Sequence, residues 1–184
     1  DIALNQNPGR IIINSTEHIA VFEAAKDTGS KIEILEVDYN GIVDLDNLET
    51  MLSKSPALVC IMFANNETGV IQPIEKISEI VRKYNSYLFC DAVQAYGKIK
   101  INFDQLNIHF MALSAHKVGG FPGSGALIIN ENIKKIIPKI SGGGQEFGMR
   151  GGTENLIGIT AFGECAKLID KIYSENIKLK EYIN

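Results

Sequence analysis

Strand-like and helix-like stretches alternate along most of this chain, and that order restricts the folds open to it. The strand-like runs are RIIIN (10–14), KIEILEV (31–37), PALVCIMFA (56–64), YLFC (87–90), HFMALSA (109–115) and GALIIN (125–130). Apolar residues at helical spacing fill the stretches 15–29, 44–54 and 74–85, and they recur after residue 155. Alternating strands and helices are typical of parallel strands joined by crossover helices. The sequence therefore predicts an α/β fold, a doubly wound, mostly parallel sheet with helices on both faces.

Local signals refine this prediction at several places. The continuous apolar run PALVCIMFA indicates a strand covered on both faces. Pro73 is suited to the first turn of the helix that follows it. Residues 141–155, SGGGQEFGMRGGTEN, are predicted to form a long loop in which Thr153 caps the final helix.

Size and charge exclude several classes of partner. The 184 residues are 45% hydrophobic, which predicts one domain spanning 1–184. Eighteen basic and 22 acidic residues give a net charge of -4 without a basic tract, so nucleic acid is not an expected partner. No apolar run reaches membrane-spanning length and the start lacks a signal-like core, so we expect a cytoplasmic protein that does not bind membranes.

The three cysteines predict neither disulfides nor a metal site. Cys60, Cys90 and Cys165 lie far apart and outside any CxxC pair, as expected in a reducing compartment. Each is interpreted as a small packing residue rather than a reactive thiol.

Polar side chains follow four of the predicted strands. His18 comes shortly after the first strand, Asn66 follows IMFA, Asp91 ends YLFC, and Lys117 follows FMALSA. Because the carboxyl ends of parallel strands meet at one edge of a sheet, these residues are expected to lie near one another.

This set of side chains matches what pyridoxal 5'-phosphate requires of a protein. A lysine holds the aldehyde as a Schiff base, and a carboxylate keeps the pyridine nitrogen protonated. Lys117 and Asp91 are the candidates for these two roles. The supporting candidates are Asn66 and Gln94 for the ring hydroxyl, Ser114 and His116 for the phosphate, and His18 for stacking on the ring.

Six motifs together resemble the cysteine desulfurase family, whose members are class V aminotransferase-like enzymes of pyridoxal-phosphate fold type I. They are TEH (16–18), NNETGVIQP (65–73), DAVQAYGK (91–98), SAHKVGG (114–120), GGGQE (142–146) and RGGTEN (150–155). The resemblance runs through nearly the whole chain, in the family's order and spacing. It implies the aspartate-aminotransferase fold, of which this chain would be a central segment of the large, cofactor-binding domain.

The resemblance also implies an activity and partners. L-Cysteine would be converted to L-alanine, and its sulfur would pass to an enzyme cysteine as a persulfide, for iron–sulfur clusters or thio-modification. His18 would assist proton transfers, and Thr153 would reach the phosphate of the neighbouring subunit in a homodimer. A sulfur-acceptor or scaffold protein is an expected partner.

The chain departs from the family's pattern in two ways. Phe121 and Pro122 stand where the family has a proline and then a lysine, so this turn is given no binding role. The family's amino-terminal phosphate loop, its catalytic cysteine loop and its substrate-binding arginine would all lie outside residues 1–184. We therefore expect a fragment that is inactive by itself.

Other interpretations remain open at this point. A selenocysteine lyase, or another class V aminotransferase-like enzyme, would use the same cofactor residues. A non-catalytic scaffold or dimerisation fragment would need none of them. Taken singly, Lys117 is typical of a surface residue, Asp91 of a turn cap and His18 of a solvated helix start.

Overall fold

A computed structural model describes residues 9–133 and 136–175 of the chain. Within this part, the strands are β1 (Arg10–Asn14), β2 (Lys31–Leu35), β3 (Leu58–Met62), β4 (Tyr87–Asp91), β5 (Phe110–Ser114) and β6 (Gly125–Ile129). They form one sheet in the order β2-β1-β3-β4-β5-β6. The first five strands pair in parallel, and β6 pairs antiparallel with β5. The predicted mostly parallel sheet is confirmed.

The helices of the described residues are α1 (Ile19–Lys26), α2 (Leu45–Leu52), α3 (Ile74–Lys83), α4 (Phe103–Leu106) and α5 (Leu156–Lys167). Short 3₁₀ turns occupy Ala115–Lys117 and Glu146–Gly148. Residues 169–175 are again helical. The helices α1, α2 and α3 each connect parallel strands, as the alternating sequence predicted.

Apolar residues of the strands point alternately to two cores. Ile12 and Val59 belong to the core that α2 and α3 cover, whereas Ile11 and Ile13 belong to the core that α1 covers. Strand β3 is buried at each of its five residues, as its unbroken apolar sequence predicted. Helices therefore pack on both faces of the sheet.

The final helix begins differently from the prediction. Asn155, not Thr153, caps α5, because its side chain accepts a hydrogen bond from the N–H of Gly158 at 3.1 Å. Thr153 is exposed two residues farther upstream. A cap must directly precede the first helical turn, so the predicted capping role of Thr153 is wrong.

The cysteines pack much as their sequence context predicted. Cys60 and Cys90 are fully buried, and burial raises the pKa of both thiols well above the usual value. Cys165 is half-buried on α5. Across residues 9–133 and 136–175, no three or more His, Cys, Asp or Glu side chains are grouped as a metal site. In this same part, no helix combines the length and apolar character needed to cross a membrane.

Candidate active site

The carboxyl ends of β1, β3, β4 and β5 lie side by side at one edge of the sheet. Strand order reverses between β1 and β3, and in open α/β sheets such a switch point opens a crevice for ligands. The loops after these strands are tied together by hydrogen bonds. Asn65 Nδ2 donates to the carbonyl oxygen of Thr16 at 2.9 Å, and the N–H of Phe63 donates to the carbonyl oxygen of Asp91 at 2.8 Å. These bonds connect the segments that follow β1, β3 and β4, and the edge formed by the carboxyl ends of β1, β3, β4 and β5 is called the rim.

His18 forms the amino-terminal cap of α1. Its backbone is extended, and its Nδ1 accepts a hydrogen bond from the N–H of Ala20 at 3.2 Å. This bond fixes the tautomer with the proton on Nε2, so the imidazole presents an N–H donor away from the helix. The residue is exposed at the rim, where it is free to contact a ligand.

Asp91 ends β4 and is half-buried. Its Oδ1 accepts a hydrogen bond from the N–H of Val93 at 2.9 Å, and it forms no ion pair with any described residue. Burial raises its pKa, while the Val93 hydrogen bond and the nearby His18 oppose that rise. A partly desolvated carboxylate that forms no ion pair with a described lysine or arginine is suited to a cationic group on a ligand.

Gln94 lies in the turn after β4 and is half-buried. Its Oε1 accepts a hydrogen bond from the Lys98 ammonium, so its amide N–H groups remain as the donors available to a ligand. Burial lowers the pKa of Lys98, and the charge of Lys117 lowers it further. The two lysines therefore lie within electrostatic reach of each other at the rim.

Ser114 and His116 are joined at the end of β5. The Ser114 hydroxyl lies 2.8 Å from His116 Nδ1. Lys117 follows in the same 3₁₀ turn, exposed at the rim. Strand β5 is the parallel neighbour of β4, with Asp91 opposite Ala112. The carboxylate therefore ends one strand, and the lysine lies in the turn that follows the adjacent strand.

The two neighbouring asparagines after β3, Asn65 and Asn66, differ in their contacts. The Oδ1 of Asn65 accepts hydrogen bonds from the N–H groups of Glu67 and Thr68, at 2.9 Å and 2.8 Å, and so shapes the loop. Asn66, the residue predicted to contact a ligand, is exposed. The structure thus assigns the structural role in this motif to Asn65.

The loop 141–155 folds back on itself and leads into α5, which lies beside the 3₁₀ turn that carries Lys117. Gly142 and Gly151 bring its two halves together so closely that a Cβ on Gly151 would lie 2.6 Å from the Gly142 nitrogen. Arg150 Nη1 donates to the Gly152 carbonyl oxygen at 3.1 Å. Thr153 is exposed on this loop, and its role toward a second subunit stays a prediction.

Sequence reasoning missed one residue of the site. Glu17 is 8% exposed, and its Oε2 accepts a hydrogen bond from the N–H of His18 at 3.0 Å. Burial raises the pKa of Glu17 to about 8, and the charge of Asp91 adds to that rise. The only sequence signal is an acidic residue inside the TEH motif, and that signal does not reveal burial.

The side chains at this rim fit pyridoxal phosphate by their chemistry. The set contains an exposed amine at Lys117, an unpaired carboxylate at Asp91, and hydroxyl and imidazole groups at Ser114 and His116. A Schiff-base lysine, an acidic partner for the ring nitrogen and donors for a phosphate are what this cofactor requires.

Comparison with known protein families matches the chain over most of its length. The sequence profile of the family described as Aminotransferase class-V covers residues 3–183. The cysteine desulfurase IscS of Dictyoglomus turgidum is 41% identical over 98% of this chain and 47% of its own length. The mitochondrial cysteine desulfurase of Saccharomyces cerevisiae is 41% identical over 90% of this chain and 34% of its own length. The chain thus spans less than half of each of these two relatives.

Solved structures agree in fold. The X-ray structure of a NifS-like protein from Rickettsia africae ESF-5 superposes with a TM-score of 0.88 at 37% identity, covering 97% of this chain and 52% of that chain. The resemblance to cysteine desulfurases and the predicted pyridoxal-phosphate transferase fold are both confirmed by these similarities.

Proposed function

The chain belongs to the class V aminotransferase family, and on that premise we propose that it is the cofactor-binding large-domain segment of a pyridoxal-phosphate-dependent cysteine desulfurase. In the proposed reaction, L-cysteine and an enzyme thiol yield L-alanine and an enzyme persulfide. The carbon–sulfur bond of the substrate breaks, a sulfur–sulfur bond forms on the enzyme, and no external oxidant or reductant is consumed.

One observation carries the proposal. Asp91, half-buried and without an ion pair among the described residues, ends the strand beside β5, and β5 leads directly into Lys117. A scaffold has no need for a desolvated carboxylate at the end of one strand and an exposed amine in the turn after the adjacent strand, whereas a pyridine nitrogen and an aldehyde need both. The cysteine desulfurases among its relatives favour cysteine as the substrate.

When bound, pyridoxal phosphate supplies an electron sink for bond cleavage at the substrate's α-carbon. Lys117 would bind the aldehyde through its amine, and Asp91 would hold a proton on the ring nitrogen. His18, exposed at the rim, would stack on the ring and move protons through Nε2.

The remaining proposed contacts orient the cofactor. Asn66 and the amide of Gln94 would donate to the ring hydroxyl, while Ser114 and His116 would bind the phosphate. Thr153 would contribute to the phosphate site of a second copy, so a homodimer is part of the proposal. We further propose residues 1–184 as a single domain.

The proposal also includes a sulfur acceptor and a cellular compartment. We propose that the persulfide sulfur passes to an acceptor or scaffold protein for iron–sulfur cluster assembly or thio-modification. Free, buried Cys60 and Cys90 favour a reducing compartment, for which we propose the cytoplasm. The yeast relative is mitochondrial by name, so cell fractionation is the test of this location.

Borohydride trapping tests the proposed function. The full-length protein is incubated with pyridoxal phosphate, reduced, digested and mapped by mass spectrometry, alongside Lys117→Ala and the exposed control Lys100→Ala. We expect a phosphopyridoxyl group on Lys117 in the wild type and in the control, and its loss in Lys117→Ala. A folded wild-type protein without label at Lys117 would overturn the proposal.

A further inference from the structure

Glu17 occupies an unusual position between β1 and α1. Its Oε2 accepts the backbone N–H of His18, and its Oε1 is buried with no hydrogen-bond partner among the described residues. His18 in turn caps α1 through Nδ1. The Glu17 carboxyl therefore holds the segment that aims the His18 imidazole at the rim.

The surroundings of this carboxyl disfavour a second negative charge. The titratable groups that face it are Asp91 and Cys90 from β4, Cys60 from β3 and His18 from its own loop. No lysine or arginine among the described residues forms an ion pair with it. A buried carboxyl without a cationic partner is stabilised by keeping its proton.

We propose that Glu17 is a positioning residue that works as a neutral carboxylic acid beneath the rim, holding the His18 backbone while leaving the negative charge to Asp91. The inference rests on the proposed function for the roles of His18 and Asp91. The protonation of Glu17 itself is independent of whether a cofactor binds.

A neutral Glu17 predicts a specific dependence of the protein's stability on pH. The folded-state pKa of Glu17, about 8, lies above the usual value of 4.5. The folded protein therefore binds one more proton than the unfolded chain between these two values, and stability is lost as pH rises through that window. The physical cause is that the unfolded chain ionises Glu17 freely, whereas burial, and then the charge of Asp91, disfavour its ionisation in the folded protein.

The test compares Glu17→Gln, Glu17→Ala and Glu23→Gln in the full-length protein. Glutamine preserves the shape and the acceptor for the His18 N–H but cannot ionise, and Glu23 is an exposed glutamate on α1 paired with Lys26. Melting temperatures without cofactor are measured from about pH 5 to about pH 9, which spans the expected titration. The dissociation constant of pyridoxal phosphate is measured by absorbance at neutral pH.

We expect Glu17→Gln to flatten the decline of melting temperature with pH, while Glu23→Gln retains the wild-type profile. Glu17→Gln is expected to keep the dissociation constant within about twofold, and Glu17→Ala to raise it by about tenfold, because only alanine loses the His18 contact.

Two results would overturn the inference. One is a Glu17→Gln profile as steep as that of the wild type, which would mean that the carboxyl is ionised in the folded state. The other is a loss of cofactor affinity in Glu17→Gln as large as in Glu17→Ala. If the wild type binds no cofactor, the proposed function fails, while the melting comparison still decides the protonation of Glu17. The glutamine variant keeps the test informative if the alanine variant does not fold.

Discussion

The hydroxyl of Ser114 lies 2.8 Å from Nδ1 of His116, so the two polar residues that bracket the end of β5 share one hydrogen bond. The bond orients both side chains before any ligand arrives, and groups oriented in advance lose less entropy on binding. Ser114 ends β5 and the intervening Ala115 is buried, so the pair is anchored at the end of the sheet. A single substitution at Ser114 or His116 therefore tests the proposed phosphate site.

Ser114→Ala is expected to weaken binding of pyridoxal phosphate by about tenfold, the loss typical of one hydrogen bond to a charged group. Binding of pyridoxal, which lacks the phosphate, should change little. The measurement is the ratio of the two dissociation constants. The control is Ser53→Ala, at the exposed carboxyl-terminal cap of α2. An equal loss for both ligands would place Ser114 away from the phosphate.

Glu33 is expected to make the protein sensitive to acid. It accepts hydrogen bonds from Arg10 Nε and Nη2 at 2.8 Å and 3.1 Å, and its Oε1 lies 2.9 Å from Lys31 Nζ. The Arg10 hydrogen bonds, followed by that of Lys31, lower the pKa of Glu33 to about 2. A lowered carboxyl pKa gives stability that is present above the usual value near 4.5 and lost as pH falls toward 2.

Glu33→Gln should therefore flatten the acid side of the stability curve between about pH 5 and about pH 2.5, measured by urea unfolding. Glu36→Gln, an exposed glutamate just beyond β2, serves as the control and should retain the wild-type slope. The same acid slope in Glu33→Gln and the wild type would contradict the ion pair as its source.

Gln72 is expected to contribute to stability through one buried and one part-buried hydrogen bond. Its Oε1 accepts the N–H of Val43 at 3.0 Å, and its Nε2 donates to the Gly41 carbonyl oxygen at 2.6 Å. Gln72→Ala leaves both backbone groups without partners, at a cost of about 2 to 4 kcal/mol in the free energy of unfolding. Exposed Gln105→Ala, measured by the same denaturant titration, should change it by less than about 0.5 kcal/mol.

Two glycines near the carboxyl-terminal end should respond oppositely to alanine. A Cβ on Gly151 would lie 2.6 Å from the backbone of Ser141 and Gly142, whereas one on Gly163 would meet no atom within 4 Å. Gly151→Ala is expected to destabilise by about 1 to 3 kcal/mol, and Gly163→Ala, in the interior of α5, to stabilise by up to about 1 kcal/mol. Thermal unfolding measures both, and stabilisation by Gly151→Ala would contradict the close approach of the two loop halves.

Much of the fold was predictable because its signals are local. The alternating segments, the unbroken apolar run of β3 and the polar residues after the strands all follow from the periodicity of side chains along the backbone. The same reasoning failed at the start of α5, where Thr153 and Asn155 are both competent caps. The choice between them depends on where the helix begins, which packing decides.

Local patterns thus predict a mostly parallel sheet, the sequence order of its strands and helices, and the positions of Asp91 and Lys117 at or just after strand ends. The neighbours that surround each of those residues are known only from the folded structure. Glu17 and Glu67 are both glutamates, and no sequence pattern separates them. In the structure, Glu17 is buried near Cys60 of β3 and Cys90 of β4, whereas Glu67 is exposed to solvent. Desolvation and charge interactions depend on groups brought together from distant parts of the chain, and no local pattern encodes them.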